Sequence, residues 1–237
     1  MINKLKGFGF LAILGVASLG SAQAATVGAV DAEIILGGEG FGSIASTYNQ
    51  SGLQDTYTSG FTNFDVFVHN TLHANQFQAP PEEGAESTEW FSDRETTAAT
   101  VIYDLGIVRY INKMALWNED YSGIHSLNLS ISENGVDFTD LLSNLAPTNN
   151  AIVEDYAADV FEFQRSAFRF IRLEASGCPQ SLGENPEEYS AFNACGIGEV
   201  AFNEVAPVPL PGAGFLLIGS LGGLGLVARR RRSKAKA

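Results

Sequence analysis

Ser126-Leu127-Asn128-Leu129-Ser130-Ile131-Ser132, followed at once by Glu133-Asn134-Gly135, is the stretch on which the fold turns. Its apolar residues recur at every second position and its polar residues fill the gaps, which is the period of a strand with one buried and one wet face. Asn-Gly then supplies the backbone freedom of a tight turn between antiparallel strands. Outward from this stretch the same grammar repeats. Phe161 and Phe163 alternate with Val160 and Glu162, and Val200 and Phe202 form a short last strand after Gly196 and Gly198. Residues 26–36, 61–69, 100–105, 111–117 and 168–174 are further expected strands, separated by segments rich in Gly, Asn, Asp, Ser and Pro. No stretch between the ends of the chain carries a sustained apolar stripe of period 3.6. Many short strands with turn punctuation predict an all-β fold, an antiparallel β-sandwich or jelly roll. One long loop is expected over 76–87, around Pro80-Pro81-Glu82-Glu83-Gly84.

The two ends read differently. Lys4 and Lys6, an apolar run from Phe8 to Leu19 and a closing Ala22-Gln23-Ala24 have the three regions of a secretory signal peptide over 1–24, cleaved before Ala25. The apolar run is shorter than the roughly 20 residues that a bilayer span needs. At the other end, 207–237 has three parts. Val208-Pro209-Leu210-Pro211-Gly212 lies in a stiff, helix-hostile motif at 207–212. Residues 212–228 carry no charge and as a helix would reach about 25 Å, so a C-terminal transmembrane helix is expected there. A basic cluster at 229–236 follows, beginning Arg229-Arg230-Arg231-Arg232, and would stay on the cytoplasmic side. This tail resembles a PEP-CTERM sorting signal of the Val-Pro-Leu-Pro-Ala type, with Gly212 departing from the last position of that motif. The resemblance implies a Gram-negative envelope protein held at the inner membrane, cut by an exosortase and associated with exopolysaccharide and biofilm.

Between the ends lies one expected domain, 25–206, with no internal repeat or boundary. It holds all 27 acidic residues but only six cations, Arg94, Arg109, Lys113, Arg165, Arg169 and Arg172, leaving a formal charge of −21. A domain of that charge repels nucleic acid and anionic lipid through its own surface. Cys178 and Cys195, both in the exported part, are expected to form a disulfide in an oxidising compartment.

The order of pieces from Glu89-Trp90-Phe91-Ser92 through 101–106, the 127–132 strand with its Asn134-Gly135 turn, 168–173 and Ile197-Gly198-Glu199-Val200 resembles the discoidin, or coagulation-factor type C, domain with its galactose-binding-like fold. The resemblance implies a core role for Trp90. It also makes Glu199 a calcium ligand, a solvent-facing carboxylate being the alternative. The family's Asp-Gly calcium loop has no clear counterpart, Glu83-Gly84 being the candidate.

Catalytic signatures are absent from the sequence: no G-x-S-x-G, no H-E-x-x-H and no Gly-rich phosphate loop. His69 and His73 have the i, i+4 spacing of a metal pair but follow a strand-like segment, and read as surface histidines. Arg169 and Arg172 read as partners of the abundant carboxylates. A ligand site is expected in the loop after the 111–117 strand, where Trp117 would offer a sugar its aromatic face, the alternatives being a plain core role for Trp117 and solvated or cation-binding acids. Asn118, Glu119, Asp120 and Tyr121 would hydrogen-bond hydroxyl groups from exposed positions. The expected function is therefore a non-enzymatic envelope or matrix protein binding extracellular polysaccharide, with no obligate cofactor though Ca²⁺ is compatible. A purely structural matrix protein and a secreted glycan hydrolase are the alternatives.

Overall fold

The computed structural model describes residues 24–75, 87–150, 154–180 and 193–205. The signal peptide up to residue 23, nearly all of the 76–87 loop and the tail from 206 onward, with its sorting motif, span and basic cluster, lie outside the described residues. Among the described residues no helix is long and apolar enough to cross a membrane.

Eleven strands and one α-helix follow one another through the described residues: β1 Ala25–Val27, β2 Asp31–Leu36, β3 Phe41–Gly42, α1 Phe64–Asn70, β4 Leu72–His73, β5 Trp90–Phe91, β6 Ala98–Asn118, β7 Ser126–Ser132, β8 Thr139–Leu145, β9 Tyr156–Ala157, β10 Asp159–Ser176 and β11 Gly196–Glu204. All pairings are antiparallel. The large sheet runs β3-β5-β11-β6-β10-β7-β8, with β1 on β11 and β2 on β6.

Two strands organise the rest. β6 joins the expected 100–105 and 111–117 strands, and β10 joins the Phe161–Phe163 stretch to 168–174. Along one edge of β6, β2 pairs with its first half and β11 with its second. The bend between the halves falls at Gly106, with φ of +80°, where the Asp104 carboxylate accepts the Gly106 N–H at 2.7 Å and is clasped by Arg169 at 2.6 Å. The sheet thereby folds over itself. Leu127 and Leu129 of β7 are far from Val200 and Phe202 of β11 in strand order, yet all four share one buried cluster with Val101, Tyr103, Met114, Leu116 and Leu173. That is the sandwich core, each such side chain contributing about 1.5–3 kcal/mol by leaving water. Trp90 is fully buried in it. Cys178 and Cys195 are bonded. Arg169 and Arg172 pair with Asp104 and Glu174, as the excess of acid implied.

Alternation along β6 also builds a further layer. Ala115 and Trp117 point away from Met114 and Leu116 into a separate cluster with Phe64, Phe67, Val68, Tyr156 and Ala201. Here the expectation of a strand over 61–69 is corrected. The segment is a helix, opened by Asn63, whose side chain accepts the Val66 N–H at 2.9 Å. Phe64, Phe67 and Val68 are buried at i, i+3 and i+4 while Val66 is 61% exposed, the reverse of what a strand would do. Alternation of Phe64, Val66 and Val68 over so short a segment satisfies either reading, and the small Ala115 and Ala201 beneath it select the helix. The surface reading of the histidines is corrected in part: His69 lies exposed in the last turn of the helix, whereas His73 sits in β4, fully buried and stacked on Tyr156 at 5.0 Å.

Candidate functional site

The expected ligand loop leaves the end of β6, and five consecutive residues there are buried: Asn118, Glu119, Asp120, Tyr121 and Ser122. This corrects the expectation of exposed side chains. The reason is that chain segments distant in sequence cross the loop. Gln180 and Gly196 donate backbone N–H bonds to the carbonyls of Gly123 and Ser122, at 2.9 and 2.7 Å. Asn118 accepts the Ile124 N–H at 2.8 Å and donates to the carbonyl of Thr148 at 2.9 Å and to the Gln180 side-chain oxygen at 3.1 Å. Trp117 lies against Phe67, and its indole N–H donates to the Thr71 carbonyl at 3.3 Å. In this arrangement its ring presents no face to solvent.

The loop and Glu89, the residue before β5, together bring three acids into one place. Glu89, Glu119 and Asp120 each offer a carboxylate oxygen within 4.8 Å of the others, and all are buried. Tyr156 donates its hydroxyl to Glu89 at 2.7 Å, Asn75 donates to Asp120 at 2.5 Å, and Glu119 accepts the backbone N–H groups of Tyr121 and Ser122. Burial pushes Glu89 up to about 8, against the pull of the Tyr156 hydrogen bond, and the Asp120 charge adds to the rise. Burial, then the Glu89 charge, holds Glu119 well above the usual carboxylate range. The ion-pair partner in reach among the described residues is His73, 3.5 Å from Glu89, and burial lowers it to about 4. A neutral imidazole brings no countercharge, so at neutral pH the cluster holds protons on Glu89 and Glu119 or takes up a cation. Oxygen-only donors of this kind suit a hard ion such as Ca²⁺.

Glu199, the expected calcium ligand, lies elsewhere. It is fully buried on β11, which removes the solvent-facing alternative, and its carboxyl accepts the Gln50 N–H at 2.9 Å. Burial raises it well above its ordinary value, and its charge acts on Tyr57 and Tyr103. It does not belong to the three-acid group.

The open surface follows β2, within the expected 26–36 strand, and the glycine-rich segment after it. β2 pairs with β6 along one edge and has no strand on its other edge among the described residues. A groove of about 520 Å³ follows it, lined by residues 32–39 and Ile44. Another groove, about 400 Å³, adjoins it and is lined by Phe41, Gly42, Ser43, Ala45, Ser46, Asn49 and Ser87. Phe41 is 44% exposed, with its ring 6.0 Å from that of Phe91. Glycine shapes this wall. Gly38, at φ +76°, lies so close to Asp93 that a Cβ would fall 2.0 Å from its carboxylate, and Gly42, at φ +77°, lies equally close to the Glu89 carbonyl. The signal that could have found the groove is the run Gly37-Gly38-Glu39-Gly40-Phe41-Gly42, an aromatic held among glycines directly after a strand.

No family model matches the chain, and no curated protein matches it. Solved structures similar to it include chitosan-binding module 1 of a chitosanase/glucanase from Paenibacillus sp. IK-5, at 16% identity and a TM-score of 0.36, covering 53% of this chain and 80% of that one. CpGH89CBM32-5 from Clostridium perfringens, solved with GalNAc-β-1,3-galactose, is 19% identical at a TM-score of 0.36, covering 52% and 79%. A pectin-binding carbohydrate-binding module is 16% identical at 0.34, covering 51% and 75%. Likenesses this partial assign neither a family nor a ligand.

Proposed function

We propose that this chain is an exported, non-enzymatic glycan-binding protein of a bacterial envelope or its matrix, sorted by an exosortase and retaining extracellular polysaccharide. The observation that carries the binding role is the Phe41 groove. A half-exposed aromatic ring next to the exposed Ser43 and Asn49 offers an apolar face for the C–H side of a pyranose and a neutral hydroxyl and amide for its rim. The buried acids favour a binder over a hydrolase. Glu89 and Glu119 have the raised pKa of a general acid, but both side chains are sealed from any substrate. In this reading the 117–121 loop positions the end of the sandwich, and a ligand meets it only through a rearrangement of the segments that cover it.

Export is supported by the Cys178–Cys195 bond, which belongs to an oxidising compartment. The sorting step rests on Val208, Pro209, Leu210, Pro211 and Gly212 with the apolar and basic segments behind them. Intact-mass spectrometry of protein recovered from the native cell surface tests it: the expected species begins at Ala25 and ends between Pro209 and Gly212. Retention of Arg232 would leave a plain membrane anchor instead. A glycan array probed with the full-length chain in detergent tests binding. Signal on a defined subset of polysaccharides is expected, and a blank array would favour the purely structural matrix protein.

A further inference from the structure

The grooves differ in charge, and the difference points to a class of sugar. We infer that the groove along β2 receives the positively charged amine of an amino sugar, so that the glycan bound at this surface carries free, unacetylated amino groups. The inference rests on the glycan-binding reading above and adds the substrate class.

Among the residues lining the 520 Å³ groove the charged ones are Glu33 and Glu39, both exposed. Asp93 stands against the same wall, its carboxylate accepting the Gly40 N–H at 3.0 Å and touching Gly38. Lysine and arginine do not line the groove, and Arg94, next to Asp93 in the chain, is not among the lining residues. Four of the domain's six cations are committed to carboxylates elsewhere: Arg109 to Glu204, Lys113 to Asp65 and Glu162, Arg169 to Asp104, and Arg172 to Glu174. Thus Glu33 and Glu39 face the groove without a protein countercharge among the described ion pairs.

The rest of the lining is apolar. Ile35 and Leu36 are each more than half exposed, and Ile34 and Ile44 complete the wall. A ligand that fits has an apolar face with ammonium groups on its rim. A pyranose with a free amine has both. A uronic acid would meet two carboxylates and the field of a domain with 27 acids and six cations. A neutral sugar would gain only hydrogen bonds. The volume accommodates a short oligosaccharide, in the range of roughly 300–1,000 Å³ typical of ligand sites.

The test uses the full-length chain in detergent and isothermal titration with glucosamine tetramer, N-acetylglucosamine tetramer and tetralysine, at low and high salt. Exposed ion pairs contribute a few-fold each, so the free-amine tetramer is expected to bind about tenfold more tightly than the acetylated one at low salt. The preference should shrink at high salt and disappear in Glu33→Gln/Glu39→Gln, whose melting temperature should match the wild type because both side chains are exposed. Equal binding of both tetramers would overturn the amine assignment and leave the glycan reading standing. Binding of tetralysine as tight as that of the free-amine sugar would overturn the sugar assignment in favour of a basic peptide site. Failure of every sugar tested, acetylated or not, would remove both readings together.

Discussion

Two acidic places in this domain differ in their access to water. Glu89, Glu119 and Asp120 lie in a sealed cluster at the end of β6, while Glu33 and Glu39 lie in an open groove along β2. In the sequence the end of β6 has the character of a binding loop, since Trp117-Asn118-Glu119-Asp120-Tyr121 holds every residue type a sugar site uses. The β2 segment reads as a plain aliphatic strand followed by glycines. The fold uses the chemically rich segment to hold loops together and leaves the plain one open. Polar side chains near a strand end are therefore ambiguous: the hydrogen bonds that could grip a ligand can equally grip three other loops.

The contrast breaks most visibly through stability. Trp117→Ala should cost about 3–5 kcal/mol, because it empties the centre of the cluster beneath α1. Asp120→Ala combined with Tyr121→Ala should also lower the denaturation midpoint clearly, where exposed positions would cost little. Chemical denaturation followed by fluorescence reads both. An unchanged midpoint for the double variant would mean that the loop is open after all, and would return it to consideration as the ligand site.

What is legible in the sequence is what depends on near neighbours. β7 spans the residues whose alternation defines it, Ser126 to Ser132, and the turn after it is held by the Asn134 side chain accepting the N–H groups of Val136 and Asp137, each at 2.9 Å. Pairing of two cysteines, when the chain has no others, leaves little freedom. Most of the misses involve partners distant in sequence. Phe64, Val66 and Val68 alternate, and only the alanines of β6 and β11 decide for a helix. β8 escapes a reading by pattern, since an edge strand with alternating exposure as weak as Thr139–Leu145 has little period to read. Continuity of β6 through Gly106 depends on Arg169, 65 residues away, clasping Asp104. Burial of Glu119 and exposure of Phe41 are both decided by what crosses or fails to cross them, which no local pattern encodes.

Acidity offers a finer probe of the sealed side. Glu89 titrates at about 8 in the folded protein against an ordinary value of 4.5, so between those values the unfolded chain has lost a proton that the folded chain keeps. Stability must then fall as pH rises through that window. His73, lowered to about 4 from 6.5, acts in the opposite direction, but only below about 6.5, where the unfolded histidine takes up its proton. From pH 6.5 to 8 the histidine is silent and the slope belongs to the carboxyl groups. Glu89 alone should account for roughly 1–2 kcal/mol across it. Glu89→Gln, which preserves an acceptor for Tyr156, should flatten the melting temperature over that range. A slope as steep in the variant as in the wild type would assign the titration to Glu119 or Glu199 instead.

The open side should give the smallest stability effect and a separate signal. Phe41 is the aromatic of the groove, and with 44% of its surface already in water it has little burial to lose. Its main packing partner is Phe91, at a ring separation of 6.0 Å. Phe41→Ala should therefore cost about 1 kcal/mol or less in stability, the scale of one tilted aromatic contact. Its effect on binding is larger relative to that cost. A ring that stacks against a pyranose loses an apolar contact worth about 1.4 kcal/mol, so the affinity for a glycan ligand should fall about tenfold. Phe41→Tyr keeps the ring and should keep most of the affinity, which separates loss of stacking from a change in the β3 backbone. Titration of both variants against one bound glycan, with melting curves alongside, decides the matter. Full affinity in Phe41→Ala would remove the groove from the binding surface. A tenfold loss without unfolding would place the working side of this domain on its least conspicuous stretch of sequence.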